Sequence, residues 1–243
     1  GPFPCPGAAM KPPRPPRHRA GFTLIEIAIV LVIIGLLLGG VLKGQALINN
    51  AKVKNLINDF KAVPLFVYGY QDRFRAIPGD DPNAQAHLGS AAIQAPNGAS
   101  LGNGRIDGVF NSDAATDESL LFWQHVRLAN LTAGSTRFSS ADAIRAAAPR
   151  NAEGGRLGIH SDSPIIGMAG TFFVCSDAIQ GKFAKQIDIA IDDGQTDSGS
   201  LRVMLPGYNG AARLAIPLGR RDGDAPSTGS LVDDAPYTVC LAH

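Results

Sequence analysis

The sequence predicts an α+β protein: one long N-terminal stalk helix, membrane-spanning in its first half, packed on a small antiparallel sheet head with long loops. Three observations carry this. Residues 22–42 are apolar except for Thr23 and Glu26, and apolar residues then recur at spacings of three and four as far as Tyr70. Four short strand candidates, each bounded by Gly or Pro, fall late in the chain. Gly and Pro together make up 45 of 243 residues, well above the roughly 12% that is usual, so much of the chain lies in turns and a helical bundle is disfavoured.

The chain starts with a basic, proline-rich leader. Residues 1–20 hold seven prolines and no hydrophobic periodicity, which reads as an exposed extension, with a Pro-rich recognition ligand as the lesser alternative. The chain has no initial Met and Met10 lies inside this extension. Met10 is therefore a candidate start, with Gly1 to Ala9 upstream of the functional leader. Lys11, Arg14, Arg17 and Arg19 stand in the leader with no acid beside them, leaving 18 basic against 21 acidic residues downstream. That balance gives no electrostatic footprint for a dedicated DNA binder.

Phe22 to Leu42 is long enough to cross a hydrocarbon core of roughly 30 Å at about 1.5 Å per residue. Four positive charges before it and only Lys43 soon after it put the N-terminal side in the cytoplasm and the rest of the chain outside. An ordinary signal anchor, and a cleaved secretory signal with Gly44-Gln45-Ala46 as its site, compete with this reading. Glu26 argues against both, because a carboxylate within an apolar span costs about 2.5–3.5 kcal/mol and calls for a partner.

Gly21-Phe22-Thr23-Leu24-Ile25-Glu26, preceded by a short basic leader and followed by an uninterrupted apolar helix, resembles the cleavage and methylation motif of type IV prepilins and type II secretion pseudopilins. The resemblance covers Gly21 to about Tyr68, roughly a fifth of the chain. It implies that residues 1–21 are removed by a prepilin peptidase between Gly21 and Phe22, and that the new Phe22 amine is methylated. A small residue at Gly21 suits entry of the backbone into a membrane peptidase. It also implies that Glu26 pairs with the Phe22 amine of a neighbouring subunit during assembly, so that the buried charge gains its partner in the filament.

Leu47, Ile48, Ala51, Leu56, Ile57, Phe60 and Val63 continue the helix as an amphipathic stretch. Gly39, Gly40 and Gly44 weaken it by about 1 kcal/mol each relative to Ala. The family commonly has a proline there and this chain has none. Pro64 is expected to kink the helix near its end rather than stop it. The expected domains are thus a leader at 1–21, a stalk helix at 22–70 that is transmembrane over 22–42, and a globular head at 71–243.

Arg75 to Asn83 is a dense turn signal at the head's border, and Ala91 to Gly108 reads as loop. Thr116, followed by Asp117 and Glu118, starts a helix that runs to Asn130 with an aromatic-rich core face, and Ser140 to Ala148 adds a short one. Strands are expected at Leu157–His160, Thr171–Cys175, Leu201–Leu205 and Tyr237–Leu241. Phe183 to Asp193 fits both periods, and Gly194 as a stop favours helix.

The sequence shows no G-x-S-x-G, H-E-x-x-H, Walker loop or G-x-G-x-x-G, and its five histidines are more than thirty residues apart. The carboxylate pairs Asp80/Asp81, Asp192/Asp193 and Asp233/Asp234 adjoin Gly or Pro and read as turn and helix-end devices. No enzyme and no cofactor are expected. The stretch Asn103, Asp107, Asn111, Asp113, Asp117 and Glu118 supplies hard oxygen ligands that could hold calcium, without EF-hand spacing, against the plainer reading of a solvated polar loop. Cys5 falls in the leader, so Cys175 and Cys240 remain as an even pair in an exported head. A disulfide between them is expected, and many type IV pilins close their C-terminal region with such a bond.

The resemblance implies a structural subunit of a type IV pilus-like filament, polymerised through its apolar helix. Its expected partners are the prepilin peptidase, identical or related pilin subunits, an inner-membrane assembly platform, and membrane lipid before assembly. It is expected first in the bacterial inner membrane and later in a periplasmic or extracellular filament. The alternatives are a type II secretion pseudopilin and a minor pilin acting in adhesion or DNA uptake. The last would need an exposed basic and aromatic patch, for which Arg213, Arg220 and Arg221, close to Asp222 and Asp224, form a thin candidate.

Overall fold

The computed structural model describes residues 1, 21–96, 101–218 and 229–243. The leader at 2–20, with Cys5 and Met10, part of the 91–108 loop, and the Arg220/Arg221 cluster lie outside the described residues. Helix α1 spans Leu24–Phe74, 51 residues, and passes through Gly39, Gly40, Gly44 and Pro64. It ends four residues later than expected, where the Arg75 turn begins with φ 56°. The chain divides into two units, Gly1–Leu47 and Ile48–His243, and the division falls within α1.

In the second unit α1 buries Val53, Leu56, Phe60, Val63, Val67 and Tyr70, at alternating spacings of three and four that mark one helix face. Pro64 is buried beside Val63. Packing there offsets the hydrogen bond that Pro64 removes, and the helix continues for ten more residues. After it come α2 (Ala84–Leu88), which the sequence reading did not separate from loop, then α3 (Glu118–Leu128) and α4 (Ala141–Ala147). Ser140 caps α4 by accepting from the Ala143 amide. The expected cap at Thr116 is replaced by Asp117, whose side chain is taken by the Ser112 hydroxyl instead.

The sheet has four antiparallel strands in the order β1-β2-β4-β3, formed by β1 (Leu157–His160), β2 (Phe173–Gln180), β3 (Leu201–Met204) and β4 (Pro236–Ala242). β2 is longer than expected at its C-terminal end because a bulge, with Ala178 at φ 59°, lets it rejoin β4 at Ile179 and Gln180. Helix α5 (Gly181–Ile191) follows directly, as the Gly194 stop implied.

Alternation along the strands sorts the side chains between two cores. Val174, Val203, Val239 and Leu241 face the larger one, with Phe60 and Val67 of α1, Phe122 and Val126 of α3, and Phe183 and Ile187 of α5. Phe173, Cys175, Met204 and Cys240 face the smaller one, with Phe110, Ile165 and Tyr208 from the loops. Full burial of each large apolar side chain contributes about 1.5–3 kcal/mol. Gly158 on β1 is required by contact, since a Cβ there would lie 2.0 Å from the Phe110 carbonyl oxygen.

Candidate functional site

Thr23 opens α1 and Glu26 lies in its first turn. The Thr23 amide donates to Glu26 Oε2 at 2.8 Å, the Thr23 hydroxyl to the same oxygen at 2.7 Å, and the Glu26 amide to Thr23 Oγ1 at 3.2 Å. This is the reciprocal T-x-x-E capping box, which satisfies donors that a helix N-terminus would otherwise leave bare. It gives Glu26 a partner within the chain, beside the neighbouring-subunit amine that the resemblance implies. The carboxylate has a local partner three residues upstream, and the T-x-x-E spacing just before an apolar run was the signal for it.

Gly21 and Phe22 precede the cap in exposed, non-helical backbone, and a Cβ built at Gly21 meets nothing within 4 Å. Beyond the cap, the apolar side chains of the first unit are exposed, from Leu24 and Ile25 to Val41 and Leu42. By length and composition α1 is a candidate membrane span, with its most apolar stretch wholly unburied. A helix apolar all round and unburied calls for lipid or other helices.

The model of the prokaryotic N-terminal methylation motif matches residues 16–42. The chain carries the type IV prepilin-like signal. With its long apolar helix and small antiparallel sheet, the prepilin-like chain has the expected α+β organisation. The motif supports a type IV pilin-like or pseudopilin protein and membrane anchoring through the apolar helix. No curated protein and no solved structure matches the chain.

In the head, Cys175 and Cys240 stand opposite each other on β2 and β4 and form a disulfide, with Cα atoms 4.1 Å apart. The six calcium candidates are taken up in bonds within the head, with Asn111 Nδ2 donating to the Tyr208 carbonyl at 3.3 Å and Glu118 accepting from the Asp107 amide. Asn103 Nδ2 donates to Asp107 Oδ2 at 3.2 Å, Asp113 pairs with Arg156 at 2.8 Å, and Asp117 accepts from the Ser112 hydroxyl at 2.6 Å. Among the described residues, the only group of three or more His, Cys, Asp or Glu side chains with converging ligand atoms is Asp188, Asp192 and Asp193.

Glu118, the first residue of α3, is 3% exposed and Oε2 accepts from the Asp107 amide at 2.8 Å. Burial pushes its carboxyl up to about 7; the Asp107 amide pulls it back, and the neighbouring carboxylates of Asp80 and Asp107 push it further. A Glu raised in the folded state binds its proton more tightly there than in the unfolded chain. Its contribution is therefore most favourable below the unfolded value of 4.5 and is lost as pH rises towards 7. Glu118→Gln, which stays neutral, should show a thermal midpoint that gains on the wild type between pH 4.5 and 7 and holds a constant lead above it. Parallel melting curves across that window would show that Glu118 does not carry this coupling.

Proposed function

We propose that this chain is a structural subunit of a type IV pilus-like filament, cleaved by a prepilin peptidase between Gly21 and Phe22 and polymerised through its apolar helix. The observation that carries the reading is the placement of Glu26 in the first turn of α1, whose stretch from Leu24 to Leu42 is apolar and exposed on every side. Exposed apolar surface of that extent needs lipid before assembly and other helices after it. The subunit serves as a building element rather than an enzyme. Its partners are the peptidase, related subunits, an inner-membrane assembly platform and lipid. With the four basic residues of the leader on the cytoplasmic side, the head lies outside.

Processing gives the direct test. Mass spectrometry of the mature chain should find Phe22 as a methylated N-terminus. Gly21→Val should block maturation although the surroundings of Gly21 have room for the side chain, so the defect must arise in the peptidase site. Normal maturation of Gly21→Val, or cleavage after Ala46, would refute the assignment.

A further inference from the structure

We propose that the carboxylates of Asp188, Asp192 and Asp193 form a calcium site that fastens the C-terminal end of α5 to the start of β3. This inference stands apart from the assembly reading. Asp188 lies in the last turn of α5, Asp192 is the C-cap, and Asp193 follows it. Each offers a carboxylate oxygen, and the three oxygens lie within 4.8 Å of one another. Two oxygens bound to one calcium at about 2.4 Å can be no more than about 4.8 Å apart. The spacing is what a shared cation requires.

Asp188 is the decisive residue. It is 1% exposed, and neither of its carboxylate oxygens has a hydrogen-bond partner. Burial pushes its pKa up to about 6; the amides of Gly194 and Gln195 pull it down without reaching hydrogen-bond geometry, and Asp193 and Asp192 push it up. A buried carboxylate left without a donor is costly. Two further carboxylates directed at it add repulsion, and all three sit at the partial negative charge of a helix C-terminus. The last turn of α5 has no basic residue. Arg202 lends some positive charge to Asp193, but its guanidinium is directed to the carbonyls of Gly199 and Ile166. A divalent cation would answer the unmet charge and the orphaned oxygens together.

The remaining bonds leave the carboxylates able to bind. Asp192 Oδ2 accepts from the Leu201 amide at 2.7 Å, and Asp193 accepts from the Gln195 amide and the Ser198 hydroxyl, both at 2.8 Å. Gly199, at φ 68°, lets the loop close on Asp192, where a Cβ would lie 2.1 Å from Oδ2. The donors of the group are all oxygens, which excludes a preference for zinc or copper. Three carboxylates from the last turn of α5, its C-cap and the residue after it suit calcium, whereas magnesium keeps most of its waters and takes one or two carboxylates.

The test uses the full chain in detergent, stripped with EGTA and then titrated with CaCl2 or with MgCl2 at matched ionic strength. Wild type should bind calcium with a Kd of about 10⁻⁴–10⁻³ M, the range of extracellular calcium modules. At an excess of 100 Kd the folded state gains about 100-fold, read as a raised thermal midpoint. Asp193→Asn, an exposed change, should weaken binding at least about tenfold, as expected for loss of a charged ligand. Asp188→Asn should abolish the calcium response and, in EGTA, melt no lower than wild type, because a buried unpaired charge has become neutral. A purely structural Asp188 predicts the reverse: a lower midpoint with or without calcium. The proposal fails if wild type shows no calcium response, if magnesium matches calcium, or if both variants respond like wild type. Should Asp188→Asn not fold, the Asp193→Asn titration decides.

Discussion

Glu26→Val subunits are expected to insert in the membrane, mature at Phe22 and assemble poorly when they are the sole subunit. Two effects of different size contribute. Valine removes the acceptor that holds the Thr23 amide and hydroxyl, and loss of an N-cap interaction costs about 0.5–2 kcal/mol. In a filament it would also leave the Phe22 amine of a neighbour without its counter-charge, and truncating one partner of a buried pair costs about 3–5 kcal/mol. The second effect dominates, and insertion gains from removal of the carboxylate. Because both cap bonds fall on Oε2, Glu26→Gln separates the two. Glutamine keeps an acceptor for Thr23 and loses the charge, so it should fail in assembly almost as Val does. Filament yield by electron microscopy, set against immunoblots of mature membrane-bound subunit, reads this. Wild-type yield from Glu26→Gln would assign Glu26 to capping alone, and loss of cleavage in both variants would place it in peptidase recognition.

What the sequence made legible follows from how local each signal is. The apolar run and the three–four spacing of Leu56, Phe60, Val63 and Val67 lie within one helix, and α1 forms over them. The four strands were readable because Gly and Pro bound them, although the bulge at Ala178 hid the second half of β2. The helix runs through Pro64, as expected, and burial of the neighbours of Pro64 carries it four residues beyond Tyr70 to Phe74, an effect of tertiary packing on a local preference. The capping box is legible in Thr23-x-x-Glu26, three residues apart at the head of an apolar run, although the cost of a carboxylate in a membrane points equally to a distant partner. Asp192 and Asp193 carry a helix-end signature in the sequence, whereas the burial of Asp188, one helical turn earlier, depends on the packing of α5. By contrast, the approach of Asp80 to Glu118 brings together residues 38 positions apart, which no local pattern encodes.

Removal of the Cys175–Cys240 disulfide is expected to lower stability by roughly 4 kcal/mol, from a cross-link that closes a loop of 65 positions in the unfolded chain. For a domain of this size that corresponds to a midpoint lower by roughly 8–16 °C. The cross-link is not needed to set strand register, because Val174↔Leu241 and Ser176↔Val239 flank it on the same two central strands. The Cys175→Ala/Cys240→Ala chain should therefore keep the far-ultraviolet circular dichroism of the wild type while its melting transition moves. Both cysteines are fully buried in the smaller core, so alanine adds a cavity cost on top of the lost constraint, whereas reduction of the wild type removes the constraint alone. The same bond reports on topology. A head held in the cytoplasm would keep both thiols reduced, and an exported one would oxidise them. Alkylation before and after reduction, read by mass spectrometry, should label Cys175 and Cys240 only after reduction. Free thiols in the native protein, together with a midpoint unchanged in the double variant, would show that the head never reaches an oxidising compartment and would remove the export on which the filament reading depends.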